Sequence, residues 1–196
     1  MSVLDAPQVI EFHDARPGAA AVPASELWRA IDDNHRHNCL LWDEEDLARR
    51  RNVADSAIAG NKRAIDAYNQ KRNDAIERID ENLLPLFPQA QGPQARLNSE
   101  TPGAMIDRLS ILSLKAHHMR LQTERRDVGR QHIEDCLAKL ARLQEQRADL
   151  AGCLDRLFEE ARRGETRFKI YRQFKMYNDP ALNPAIYGES KRPSRS

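Results

Sequence analysis

Charged and amide side chains stand on faces of three predicted helices that ought to be apolar. At about 100° per residue around a helix axis, Leu27, Ile31, Leu41 and Trp42 define the apolar arc of the first, and Asn34, Asn38, Glu45 and Arg49 project within it. In the second, Ile58, Ile65 and Ile76 set the face. Lys62, Asn69, Asn73 and Asp80 lie on it, with Asp66 and Glu77 at its edge. The third, PGAMIDRLSILSLKAHHM, is apolar around most of its circumference, yet Asp107, Arg108, Lys115 and His118 share one sector.

Burying a charge is costly unless it is paired and hydrogen-bonded, so a polar set this large is a poor route to stability alone. Two arrangements satisfy it. One is a closed network, for example Arg49 with Glu45, Lys62 with Asp66 and Asp107 with Lys115, that fixes helix register. The other is a solvent- or ligand-filled cleft of mixed carboxylates, amides and cations. For the cleft, Glu45, Asp107 and His118 are the candidates for proton transfer. A satisfied structural histidine is the competing reading of His118. Asn34, Asn38, Trp42, Arg49, Asn69, Asn73, Glu77, Asp80, Arg108 and Lys115 are the binding candidates.

Metal chemistry finds less support. Glu77 and Asp80 form ExxD, and Asp43 with Asp46 supplies an earlier acidic pair. This is similar to the layout of all-helical nucleotide pyrophosphohydrolases that hold Mg²⁺ on carboxylate oxygens. Those enzymes favour ExxE in the first pair, where this chain has DEED. No Glu-x-x-His occurs, against a di-iron carboxylate bundle. His35, His37, His117, His118 and His132 give no zinc spacing, and the run from Asn34 to Asn38 reads as a solvated helix face. Accordingly no metal site is expected, and no cofactor is indicated. GxGxxG, phosphate-loop and GxSxG motifs are all missing.

The elements that position these residues are helical. Residues 1–23, ending in ARPGAAAVP, lack periodicity and read as a mobile leader. Ser25 caps a first helix to about Arg50, and a second runs from about Ala54 to Leu84, before Pro85. PLFPQAQGPQARLNSE is a long loop of the functional or mobile kind. Thr101 and Pro102 start a third helix that reaches about Arg126. The fourth has heptad spacing, with Ile133, Leu140 and Leu154 in one register and Cys136, Leu143, Leu150 and Leu157 in the other, interrupted by Arg147. That seam suits packing within the bundle, and a homodimer could use it as well. RFKIYRQFKMYN predicts a short aromatic, basic helix, followed by an Asn-Pro-rich tail. The expectation is an all-α, single-domain antiparallel bundle of four long helices over 24–178, with a short C-terminal helix and an extended tail over 179–196.

Composition narrows the function classes. A chain of 196 residues suits one core. Lys+Arg and Asp+Glu number 31 and 30, so no global field favours nucleic acid or an anionic membrane. No run of apolar residues is long enough to span a bilayer, and no secretory signal pattern opens the chain. Cys39, Cys136 and Cys153 fall in helical patterns without CxxC spacing. A reducing cytoplasm is the expected location.

LLWDEEDLARR, KRAIDAYNQKRNDAIERID and LNSETPGAMIDRLSILSLKAHHM resemble the signature blocks of a bacterial family of helical proteins classed as a domain of unknown function, over Leu27 to Met119. Carried over, the blocks fall on Trp42, Glu45, Asp46 and Arg49. They fall also on Asn69, Arg72, Asn73, Asp74, Glu77 and Asp80, and on Asn98 to Gly103 with Asp107, Arg108, Lys115 and His118. Members resemble accessory or candidate enzyme proteins encoded among sugar-transfer and cell-envelope polysaccharide genes. Two functions follow as expectations. One is a site for a phosphorylated sugar or nucleotide-sugar, to which Phe168, Tyr171, Phe174 and Tyr177, interleaved with Arg167, Lys169, Arg172 and Lys175, could add stacking and charge. The plainer reading of that strip is an amphipathic helix closing the bundle. The other function is an interaction protein that partners a glycosyltransferase.

Overall fold

The computed structural model describes residues 4–15, 25–173, 179 and 181–184. It is all-α apart from one pair of two-residue strands. The helices are α1 (Ala6–Ala15), α2 (Glu26–Ala48), α3 (Asp55–Leu83), α4 (Pro102–Thr123) and α5 (Arg130–Arg162). Local chemistry sets several ends. Ser25 Oγ accepts from Trp28 N at 3.2 Å and Thr101 Oγ1 from Ala104 N at 3.2 Å, and Pro102 takes the first position of α4. Gly164, at φ 73°, follows the C-cap Arg163 of α5, a backbone conformation that a Cβ would strain.

α2 packs along α3, and α4 packs along α5. Contacts that climb together from Asn34–Asp107 to Trp42–His118 show that α2 and α4 run in the same direction. Arg72–Asp107 and Asp80–Gly103 run in the opposite sense, so α3 opposes α4. α4 is central and touches every other helix. Ile31, Ile79, Leu83, Ile106, Leu109, Leu154 and Phe158 are fully buried around it. Each such side chain contributes about 1.5–3 kcal/mol. On α5 the heptad positions Cys136, Leu140, Leu150, Leu154 and Leu157 are buried. Arg147, the interruption, donates to Asp14 Oδ1 at 2.7 Å and to Ser113 Oγ at 3.0 Å.

Three expectations need correction. Within the expected mobile leader, residues 6–15 are helical and buried through Ala6, Val9 and His13, with Leu4 just before them. Phe12 packs on Trp28 at 4.9 Å, and Asp155 Oδ1 of α5 accepts from Ala6 N at 2.8 Å. A helix this short draws its stability from such tertiary contacts, which hydropathy does not register. The expected C-terminal helix is a strand at its start. Thr166–Arg167 (β2) pairs in parallel with Arg96–Leu97 (β1), and 168–173 has no regular structure. Phe174, Lys175 and Tyr177 lie outside the described residues, as do 16–24 and most of 179–196. Finally, the loop after α3 joins the core, because Phe87, Ala90 and Ala95 are buried and Phe87 stacks on Phe158 at 5.5 Å.

Among the described residues no helix is long and apolar enough to cross a membrane.

Candidate functional site

The inward polar residues of α2 and α4 meet. Asp107, one turn into α4, accepts at Oδ1 from Asn34 Nδ2 at 2.8 Å and from Asn38 Nδ2 at 2.9 Å. Asn38 Nδ2 also lies 2.9 Å from Ser110 Oγ, which sits 2.8 Å from His35 Nδ1. Asn34, His35, Asn38, Asp107 and Ser110 are all buried, so this is an internal wall of hydrogen-bonded groups. Helical spacing produces it, since 34, 38 and 107, 110 are one turn apart on facing helices.

Arg72 of α3 approaches the same carboxylate, but its Nε stops 3.7 Å from Asp107 Oδ1, whose lone pairs the two amides already use. That buried Nε has no hydrogen-bond partner. Beside it opens a cleft of about 330 Å³ between α2, α3 and α4. Asn38, Trp42, Glu45, Asp46, Arg49, Asn69, Arg72 and Lys115 line it, with Leu41, Ile111 and Leu114 as its apolar part. The Trp42 ring stacks on His118 with centroids 4.2 Å apart and planes 7° from parallel, while Trp42 Nε1 is buried without a hydrogen-bond partner. Burial, then neighbouring His117, hold His118 below the usual imidazole range, so its ring is neutral near neutral pH.

The cleft thus gathers Asn38, Trp42, Glu45, Arg49, Asn69 and Lys115 from the predicted set, with Asn34 and Asp107 in its wall and His118 behind Trp42. Arg49 is exposed and pairs with Glu45 Oε2 at 2.9 Å, and Lys115 is exposed at the rim rather than buried. Long cationic side chains reach solvent from an inward arc. A hydrogen-bonded inner wall thus stands beside an open outer cleft, and in that wall Asp107 bonds Asn34 and Asn38 in place of the expected Lys115.

Other predicted residues lie elsewhere. Arg108 is exposed and clasps both oxygens of Glu100, at 2.8 and 2.7 Å, beside a separate groove of about 610 Å³ between α4 and α5. Glu77 accepts from Arg172 Nη1 at 2.6 Å and from Gln173 N at 3.0 Å, tying the chain after β2 to α3. Asn73 is buried on α3 but does not line the cleft. Asp80 sits at the start of α4, where Oδ1 accepts from Gly103 N at 2.7 Å, a carboxylate at a helix N-terminus. Among the described residues no group of three or more His, Cys, Asp or Glu is placed to hold a metal ion.

Burial pushes the Asp80 carboxyl up to about 6, against the opposing hydrogen bonds from Thr101 and Gly103. Because the folded value lies above the unfolded one, the folded chain binds this proton more tightly. The stability from this group is complete below about pH 4 and is lost as pH rises through about 6. The loss amounts to about 3 kcal/mol. In Asp80→Asn, urea denaturation should give a flatter profile over that window than wild type. An identical slope in both proteins would show that Asp80 does not titrate in it.

Reading the helix faces missed two residues. His35, assigned to a solvated face, is 2% exposed and stacks on His13 at 4.6 Å. Ser110 shares the polar sector of Asp107 three residues on, but a small hydroxyl inside LSILSL carries little contrast. Arg72 was reached only through the family resemblance.

These features define a class: an all-α protein with a polar-walled cleft between three helices. The model of a family described as "Protein of unknown function (DUF4254)" matches residues 28–170, and the chain belongs to that family. The matched region holds every residue of the cleft and leaves out α1. Comparison with curated proteins and with solved structures gives no match.

Proposed function

We propose that the cleft between α2, α3 and α4 binds a phosphorylated glycosyl compound, a sugar phosphate or nucleotide-sugar. The observation that carries this reading is a pair of buried donors on the cleft, Arg72 Nε and Trp42 Nε1, that have no hydrogen-bond partner. Orphaned buried donors are costly, and a ligand rich in acceptor oxygens relieves both. Arg49, Arg72 and Lys115 supply cationic donors that suit a phosphate, set against Glu45 and Asp46 on the lining and Asp107 behind Arg72. Trp42 offers an aromatic face for a sugar or base. The glycosyl assignment draws further on the resemblance to proteins encoded among sugar-transfer genes. Glu45 is the predicted proton-transfer group that lines the cleft if the bound compound reacts, since His118 stands behind Trp42. The pyrophosphohydrolase layout gains no support, since Glu77 is held by Arg172 and Asp80 by the start of α4.

A second reading, a docking protein for a glycosyltransferase, draws on Leu121 and Leu137, which are 45% and 51% exposed near the α4–α5 turn.

The test is thermal shift with sugar phosphates, nucleotide-sugars and inorganic phosphate on wild type, Arg72→Gln and Lys115→Gln. A ligand at 100 times its Kd stabilises the fold by about 2.7 kcal/mol. That shift should appear in wild type and shrink in both variants. No shift with any of them, together with partner binding that Leu137→Asp abolishes, would replace this reading with the second.

A further inference from the structure

A line of buried contacts joins α1 to the cleft. His13 of α1 is 1% exposed, its ring stacks on His35 of α2 at 4.6 Å, and neither of its ring nitrogens has a hydrogen-bond partner. His35 Nδ1 lies 2.8 Å from Ser110 Oγ, which accepts from Asn38 Nδ2 at 2.9 Å, and Asn38 bonds Asp107 and lines the cleft. This pattern is satisfied when the Ser110 hydroxyl donates to an unprotonated His35 Nδ1 while accepting from Asn38.

We propose that His35 is a positioning residue for the cleft and that α1 is its latch: with His13 seated on His35, the Ser110–Asn38–Asp107 wall is held in its binding arrangement, and release of α1 loosens it. The proposal rests on the reading of the cleft as a binding site. Each link is a direct contact, and the seat is a polar pocket of about 30 Å³, room for about one water molecule.

Acid is the condition that should open the latch. Facing His13 are His35 from α2, His117 and Arg120 from α4, Arg147 from α5 and Asp14 from α1 itself, the last already paired with Arg147 at 2.7 Å. Burial, then His35 and Arg147, hold the His13 imidazole well below its ordinary range. A histidine lowered in this way supports docking fully above its unfolded value of about 6.5 and loses that support as pH falls below it.

The two tryptophans report the two ends of the line separately. Trp28 packs on Phe12 of α1, and Trp42 lies in the cleft on His118. The experiment is a fluorescence titration of the full chain from pH 8 to 5 in Trp42→Phe, which leaves Trp28, and in Trp28→Phe, which leaves Trp42. Far-UV circular dichroism monitors the fold throughout. Both emissions should shift to the red together while most helix signal remains. With His13→Phe added, which keeps an aromatic ring on His35 but cannot titrate, the Trp28 shift should vanish and Trp42 should keep only the response of the His118 ring stacked on it. In Trp28→Phe, His35→Phe should move Trp42 emission even at pH 8, because it keeps the stack and loses the bond to Ser110. Inorganic pyrophosphate, titrated at pH 7.5 and 5.5, should weaken about tenfold more in wild type than in His13→Phe, where the only loss left is the one from protonation of the pyrophosphate itself.

A shift of Trp28 without Trp42, no shift of either, or an unchanged acid response in His13→Phe overturns the proposal. If pyrophosphate fails to bind at pH 7.5 while the two tryptophans still move together, the binding reading of the cleft falls and the coupling from α1 stands.

Discussion

Gly103→Ala should lower stability by about 3 kcal/mol, because an added Cβ there meets the closest contacts of any described glycine. A Cβ at this position would lie 2.6 Å from the carbonyl oxygen of Ile76 and 2.8 Å from Asp80 Oδ1. The first of these is backbone in the middle of α3, so relief requires α3 and α4 to move apart. Overpacking of this kind costs about 1–3 kcal/mol. Movement would also stretch the 2.7 Å bond from Gly103 N to Asp80, and a hydrogen bond to a charged group contributes about 1.5–3 kcal/mol. In a chain of this size the melting temperature should fall by roughly 10 °C. Gly152 is the control. It lies in α5 with nothing within 4 Å of its Cβ position, so Gly152→Ala should stabilise by up to about 1 kcal/mol. Denaturant melts of the two variants settle the matter, and equal midpoints would mean that α3 and α4 are not in this close contact.

The same contact shows what helix-face reading can recover. Spacing reveals direction around an axis, and the inward directions of Asn34, Asn38 and Asp107 are those the structure uses. It does not reveal height along the axis or the neighbour at that height. Asp80 and Asn69 share a face of α3, yet one reaches the start of α4 and the other lines the cleft. Nor does direction predict burial for long cations, as Arg108 and Lys115 on α4 demonstrate. The four long helices were legible because caps at Ser25 and Thr101 and the heptads of α5 are local signals. α1 was not, because its buried stripe of Ala6, Val9 and His13 is weakly apolar and its partners, Trp28, His35 and Asp155, are distant in sequence. The strand pair of β1 and β2 depends on pairing between segments that two helices separate, which no local pattern announces.

Two substitutions at Asp107 should separate its structural role from its electrostatic one. In Asp107→Ala the Nδ2 groups of Asn34 and Asn38 face a void where they now bond Oδ1 at 2.8 and 2.9 Å. Each buried donor left unsatisfied costs about 1–3 kcal/mol, so the variant should lose about 3 kcal/mol, on a scale with Gly103→Ala. Asp107→Asn keeps an oxygen for both amides and should fold with a loss of about 1 kcal/mol or less. It removes the negative charge 3.7 Å from Arg72 Nε, leaving that guanidinium without its competing counter-ion. An anion in the cleft then meets a less neutralised cation. With the Arg72 side chain 27% exposed, solvent screening limits the gain to about 1 kcal/mol, roughly fivefold in Kd. Calorimetric titration of Asp107→Asn with the sugar phosphate or nucleotide-sugar that stabilises wild type should show this tightening. Weaker binding by a stably folded Asp107→Asn would mean that the carboxylate itself contacts the ligand or holds Arg72 in place for it. In either case the charge of Asp107, and not only its hydrogen bonds, would be part of recognition.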